Sequence, residues 1–122
     1  MSKFVIRRVN SGVKFDLKAP NGQAIVASEV YDSRAACLRG IESVRRNAPI
    51  AALEDQTSDG CGIIPNPKFE LYEDRRGAYR FRLKSRNGKT IAVSEGYTSK
   101  AACEKGIESV RRNAPAAEIE QE

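Results

Sequence analysis

Two short polar clusters in this 122-residue chain carry side chains able to do chemistry: Ser28, Glu29 and Tyr31, and, 66 positions later, Ser94, Glu95 and Tyr97. A carboxylate, a hydroxyl and a phenol at matching points would line a symmetric polar pocket. A carboxylate with a shifted pKa would then offer metal-free acid–base chemistry. A structural reading competes with this one and is favoured. Glu near a helix N-terminus suits the helix dipole, and Tyr just before a cap can act as a staple. Neither serine has a base to activate it, because the chain contains no His and no G-x-S-x-G. No catalytic residue is assigned, and the reading is non-enzymatic.

The three cysteines, Cys37, Cys61 and Cys103, form no C-x-x-C pair. Without His they leave a zinc ion almost no ligands, so neither metal nor cofactor is expected. An odd number of thiols argues against a disulfide framework. Cys37 and Cys103 read as small buried hydrophobes, with a meeting near an internal two-fold left open. Cys61 reads as exposed and oxidisable.

A third surface comes from period-two alternation. If Phe15, Leu17, Phe81 and Leu83 face a core, then Lys14, Asp16 and Lys18 point away, as do Arg80, Arg82 and Lys84. Tyr72 shares that face. A basic sheet with an aromatic is one way to hold nucleic-acid bases. Against this, Asp16 interrupts the first row, and any antiparallel sheet with one wet face looks similar.

The elements that position these residues come in two copies. Ser28 to Pro49 and Ser94 to Pro115 are identical at 17 of 22 positions, and both end in GIESVRRNAP. Each copy opens with alternating strands, Phe4/Ile6 then Phe15/Leu17, and Phe69/Leu71 then Phe81/Leu83. Asn21-Gly22 and Asn87-Gly88 predict type I′ hairpin turns into a third strand. The period then changes: Cys37, Ile41, Val44 and Ala48, like Cys103, Ile107, Val110 and Ala114, trace a helical face. Asp32 or Ser33, and Thr98 or Ser99, supply N-caps. Arg45-Arg46 and Arg111-Arg112 suit the helix C-terminus. Asn47 and Asn113 are predicted to take a left-handed cap before Pro49 and Pro115. Gly40 and Gly106, costly inside helices, predict close approach of each helix to the sheet or to its partner. IAALE and AAEIE supply a fourth strand, so each copy reads β-β-β-α-β.

With those residues in hand, the chain resembles the YegP-like family of small bacterial proteins of uncharacterised function. The resemblance rests on F-x-L-x-x-x-N-G, S-E-x-Y and G-I-x-S-V-x-x-N-A, present in both copies. It implies an α+β fold: tandem units share one sheet, with two helices on one face and each unit lending its last strand to the other. The linker would reach up to about 27 Å, enough to cross between exchanged units. The copies depart from each other at EDRRGA, where the second carries one extra residue.

These readings give a single pseudo-symmetric domain over 1–122: repeat one 2–57, linker 58–65, repeat two 66–122. The net charge of +5 divides evenly between the repeats; it permits nucleic-acid contact without demanding it. No apolar run approaches the ~20 residues of a membrane helix, and MSKFVIRR shows no h-region. The expectation is a cytoplasmic monomer acting as a binding or interaction module, with a nucleic-acid or protein partner and no membrane role.

Overall fold

The computed structural model describes residues 1–58, 60 and 62–122; the expectation for Cys61 lies outside them. Eight strands form one sheet: β1 (Lys3–Val9), β2 (Gly12–Lys18), β3 (Ala24–Ala27), β4 (Ala52–Asp55), β5 (Lys68–Glu73), β6 (Tyr79–Lys84), β7 (Thr90–Ser94) and β8 (Glu118–Gln121). The helices are α1 (Arg34–Asn47) and α2 (Lys100–Asn113), the second followed by a 3-10 turn at Ala114–Ala116. Strand order is β4-β5-β6-β7-β3-β2-β1-β8, which reads the same from either edge once the repeats are interchanged. The repeats meet in the middle, where β3 and β7 pair antiparallel at only Val26–Ser94 and Ala27–Val93. Their last strands are exchanged: β4 lies parallel to β5, and β8 parallel to β1. The sheet is therefore mixed, antiparallel except at its two edges.

Local chemistry explains most of the elements. Ser33 Oγ and Ser99 Oγ accept from the Ala36 and Ala102 amides, each at 3.1 Å, and cap the helices. The predicted type I′ turns are not formed. Gly22 N donates to Ala19 O, and only Gly22, at φ 84°, is left-handed. The hairpin is a five-residue turn, Ala19 to Gln23, with its glycine left-handed, and the β2–β3 register shifts beyond it at Leu17/Lys18. The left-handed Asn caps are also absent. Ala48 and Ala114 remain helical, each donating its amide to Val44 O or Val110 O before a further tight turn leads to the exchanged strand. Asn47 and Asn113 instead turn their amides back onto Ser43 O and Ser109 O, at 2.7 and 2.9 Å.

One face of the sheet carries Phe4, Phe15, Phe69 and Phe81, all fully buried against Ile41, Val44, Ile107 and Val110 of the helices. Each such ring contributes roughly 1.5–3 kcal/mol by leaving water. Both helices cover this face, and each reaches across the junction: α1 touches β2 and β7, α2 touches β6 and β3. No helix among the described residues is long and apolar enough to cross a membrane.

The glycine and the first arginine of the repeated decapeptide can now be accounted for. A Cβ on Gly40 would lie 2.2 Å from the Tyr31 Oη, and one on Gly106 2.4 Å from the Tyr97 Oη. The close approach is thus to the repeat's own tyrosine. Arg45 pairs with Glu42 and donates to Ala117 O at the root of β8; Arg111 pairs with Glu108 and donates to Ala51 O at the root of β4. Each arginine holds the strand lent by the other repeat, a task beyond the helix-dipole role predicted for it.

Candidate functional site

The sheet face opposite the helices carries a cross-strand row of charge. Glu54, Glu70 and Arg82 stand side by side, continuing through Val93 and Ala27 to Asp16, Val5 and Glu120. At the repeat-two end this row is dry: Glu54, Lys68 and Glu70 are all buried. Lys68 Nζ lies 2.8 Å from Glu54 and 3.4 Å from Glu70, and the Ile64 amide of the linker donates to Glu54 at 3.0 Å. The linker therefore reaches over the outer face here. Hydrogen bonds from Lys68, Gln56 and the Ile64 amide hold the Glu54 carboxyl down at about 2.

The three cations predicted to form a basic row do share this face, but two are already engaged. Arg82 Nε pairs with Glu70, and its guanidinium sits 4.5 Å from the Tyr72 ring centroid, covering the aromatic. Arg80 Nε pairs with Asp74 at 2.7 Å. Asp74 opens the loop that carries the second copy's extra residue, and its carboxylate also accepts the Arg76 and Ala78 amides there. Lys14, Lys18 and Lys84 make no ion pair among the described residues, whereas Asp16 is taken by Arg7 at 2.8 Å.

At the two-fold junction the outer face is concave. A groove of about 570 Å³ runs over β3 and β7, with Ala27 and Val93 among its floor residues. Lys14, Arg7 and Arg80 line it together with Asp16, Glu29 and Glu95. Two sets of residues that looked separate in the sequence, the basic face and the Ser-Glu pairs, meet in this groove.

Within it the serines are structural. Ser28 Oγ accepts the Phe15 amide at 3.0 Å and donates to Glu29 O at 2.7 Å; Ser94 Oγ does the same with Phe81 N and Glu95 O. Each hydroxyl replaces a ladder bond where the strand bends away, so its proton is committed. Glu29 and Glu95 are exposed, and Glu29 pairs with Lys89 at 3.4 Å. Tyr31 and Tyr97 leave the cluster altogether. They pass to the helix side, where their rings stack on Phe15 and Phe81. Burial, with help from Glu29, raises the Tyr31 phenol; burial, then Cys103 and Glu95, raises that of Tyr97. Cys37 and Cys103 are free, fully buried thiols. Burial pushes both up, Cys103 to about 11, which keeps them protonated and inert. Among the described residues no cluster suited to a metal ion is found.

A family model described as a domain of unknown function, DUF1508, matches twice, over residues 10–55 and 74–121. The chain belongs to this family. Among DUF1508 relatives, the UPF0339 protein in the ptx operon 5′ region of Stutzerimonas stutzeri is 39% identical over 106 residues, covering 87% of this chain and 82% of the relative. The solution structure of yegP from E. coli, titled a protein of unknown function, superposes with a TM-score of 0.80 at 28% identity, covering 98% of this chain and 91% of that one. The YegP-like resemblance and its exchanged-strand fold are both borne out. A UPF0339 protein of Methanosarcina acetivorans is 62% identical over 52 residues, 90% of its length but 43% of this chain; it spans about one DUF1508 repeat.

Two features of the groove were missed by sequence reasoning. The pairing of Arg80 with Asp74 had a signal, since an acid stands six residues before Arg80 at the start of the loop that carries the insertion. The convergence of Glu29 and Glu95 had none, because it depends on β3 pairing with β7 across the repeats.

Proposed function

We propose that this chain is a non-enzymatic binding module whose docking face is the junction groove over β3 and β7, and that its partner is a protein. The observation that carries this is the convergence of Lys14, Arg80, Glu29 and Glu95 around an uncharged floor of Ala27 and Val93. Interleaved charge of both signs complements a polypeptide, which carries both signs itself. Phosphodiesters would meet three carboxylates in the same groove and an Arg80 already neutralised by Asp74. The committed serine protons and the solvated carboxylates support a binding role over a catalytic one. Free buried thiols fit a reducing compartment, supporting a cytoplasmic setting. The exchange of both last strands within one chain, so that each repeat is completed by the other, supports a monomer.

The test places a photo-crosslinking residue at Val93 and, as a control, at Ile119 on the outer edge strand, in the producing cells. A discrete protein adduct from Val93, absent from Ile119 and abolished by Ala27→Arg, is the expected result. No adduct, combined with oligonucleotide binding that weakens steeply with salt and is blunted by charge reversal at Lys14, Lys18 and Lys84, would replace this reading with nucleic-acid binding.

A further inference from the structure

We infer that a second cleft, separate from the junction groove, binds a phosphomonoester-bearing small molecule. It has a volume of about 600 Å³ and lies between the C-terminal half of α1 and the β6–β7 turn. Ser43, Arg46, Asn47 and Ile50 line one wall; Ser85, Arg86 and Asn87 line the other.

The hydrogen-bonding capacity left in this cleft is dominated by donors. Arg46 and Arg86 are exposed, and neither makes an ion pair among the described residues. Of the other eleven arginines, five, Arg7, Arg45, Arg80, Arg82 and Arg111, each hold a carboxylate. No carboxylate lines the cleft to offset its two guanidiniums. Asn87 Oδ1 accepts both the Ser85 hydroxyl and the Lys89 amide, which leaves the Asn87 Nδ2 to donate outward. Ser43 Oγ accepts from Asn47 Nδ2 at 3.1 Å, which frees its own proton. The one side-chain amide oxygen remaining without a donor is Asn47 Oδ1, suited to a hydroxyl on the ligand. Two forks and two neutral donors around one volume match a phosphate dianion. The helix end itself works against an anion, but two of its last four carbonyls are occupied: Val44 O by Ala48 N, and Asn47 O by Ile50 N and Ala51 N.

The duplication supplies an independent reason. Within GIESVRRNAP, packing, a hydrogen bond, an ion pair or the helix stop accounts for every residue except Arg46 and its counterpart Arg112. The matching cleft in repeat two is incomplete. There the turn carries Ala19 and Pro20 in place of Ser85 and Arg86, and Asn113 Oδ1 is taken by the Ser2 hydroxyl at 2.6 Å. One site per chain follows.

The test is an amide NMR titration of the full chain with inorganic phosphate near pH 7, at ionic strength held constant with chloride. Saturable shifts confined to Ser43, Asn47 and Ser85–Lys89, fitting one site, are expected. Arg46→Gln and Arg86→Gln should each weaken binding by about tenfold or more, with Arg112→Gln unchanged. All three positions are exposed, so each variant's own spectrum verifies its fold. Shifts spread over basic residues generally, an equal loss with Arg112→Gln, or an equal response to chloride alone would overturn the inference. None of these outcomes bears on the junction groove.

Discussion

The two repeats agree on one side of the sheet and disagree on the other. On the helix side Phe4 answers Phe69, Phe15 answers Phe81, Tyr31 answers Tyr97, and the T-shaped and stacked ring geometries recur within a few degrees. On the outer side Val5 stands where repeat two has Glu70, Arg7 where it has Tyr72, and Asp16 where it has Arg82. The inner face is constrained twice, once by its own helix and once by the helix of the other repeat. The outer face is constrained by neither, so its copies were free to diverge. Duplication here preserved a scaffold and left one surface available for specialisation.

That contrast can be broken or sharpened by substitution. Inner-face changes should cost the same in either repeat. Gly40→Ala puts a methyl 2.2 Å from Tyr31 Oη and 2.7 Å from its Cζ, with Phe15 closing the other side. We expect a loss of about 1–3 kcal/mol in urea unfolding, despite a gain of about 1 kcal/mol in helix propensity. Gly106→Ala should match it, and Tyr31→Phe should rescue part of the first. A neutral Gly40→Ala would show that the ring moves freely, removing the reason for the glycine.

Next in size are the strand-holding arginines. Arg45→Met and Arg111→Met should each cost about 1–3 kcal/mol, with hydrogen exchange accelerated at β8 and at β4 respectively. Acceleration within the mutated helix alone would sink the idea that these side chains secure the lent strand.

The smallest effect should distinguish the repeats. Glu54 is held at about 2, below its ordinary 4.5. Burial pushes neighbouring Asp55 upward, but hydrogen bonds from Lys100 and Thr57 outweigh it and hold that carboxyl low. A depressed folded pKa gives stability that is complete above the unfolded value and lost as pH falls toward the folded one. Between pH 4.5 and 2, protection should therefore fade first at β4. At the opposite edge Glu120 is exposed, with Lys3 at 3.3 Å as its ion pair. Equal fading at β4 and β8 would refute the asymmetry, as would an unchanged pH profile in Glu54→Gln.

What the sequence made legible follows the same division. Alternation at Phe15/Leu17 and the helical face from Cys37 to Ala48 are set by neighbours in the chain, so strands, helices and caps could be read directly. The turn type could not, because Asn-Gly also fits a five-residue turn with its glycine left-handed. Tyr31 reads from sequence as either a polar-pocket residue or, preferably, a staple before the cap; its position beneath the helix is encoded in the repeated glycine at 40. The ion pairs that quiet Arg80 and Arg82 depend on cross-strand register and on the loop that carries the inserted residue. The junction groove and the α1–turn cleft both form between repeats, where no local pattern reaches.

The strand exchange also has a consequence in time. β8 is synthesised more than a hundred residues after β1, the strand it flanks, Lys3 lying beside Glu118. Until residues 118–121 emerge, the edge of β1 has no partner and Arg45 has no Ala117 carbonyl to hold. So long a separation between contacting segments slows folding and leaves repeat one's edge open to other chains while the ribosome is still at work.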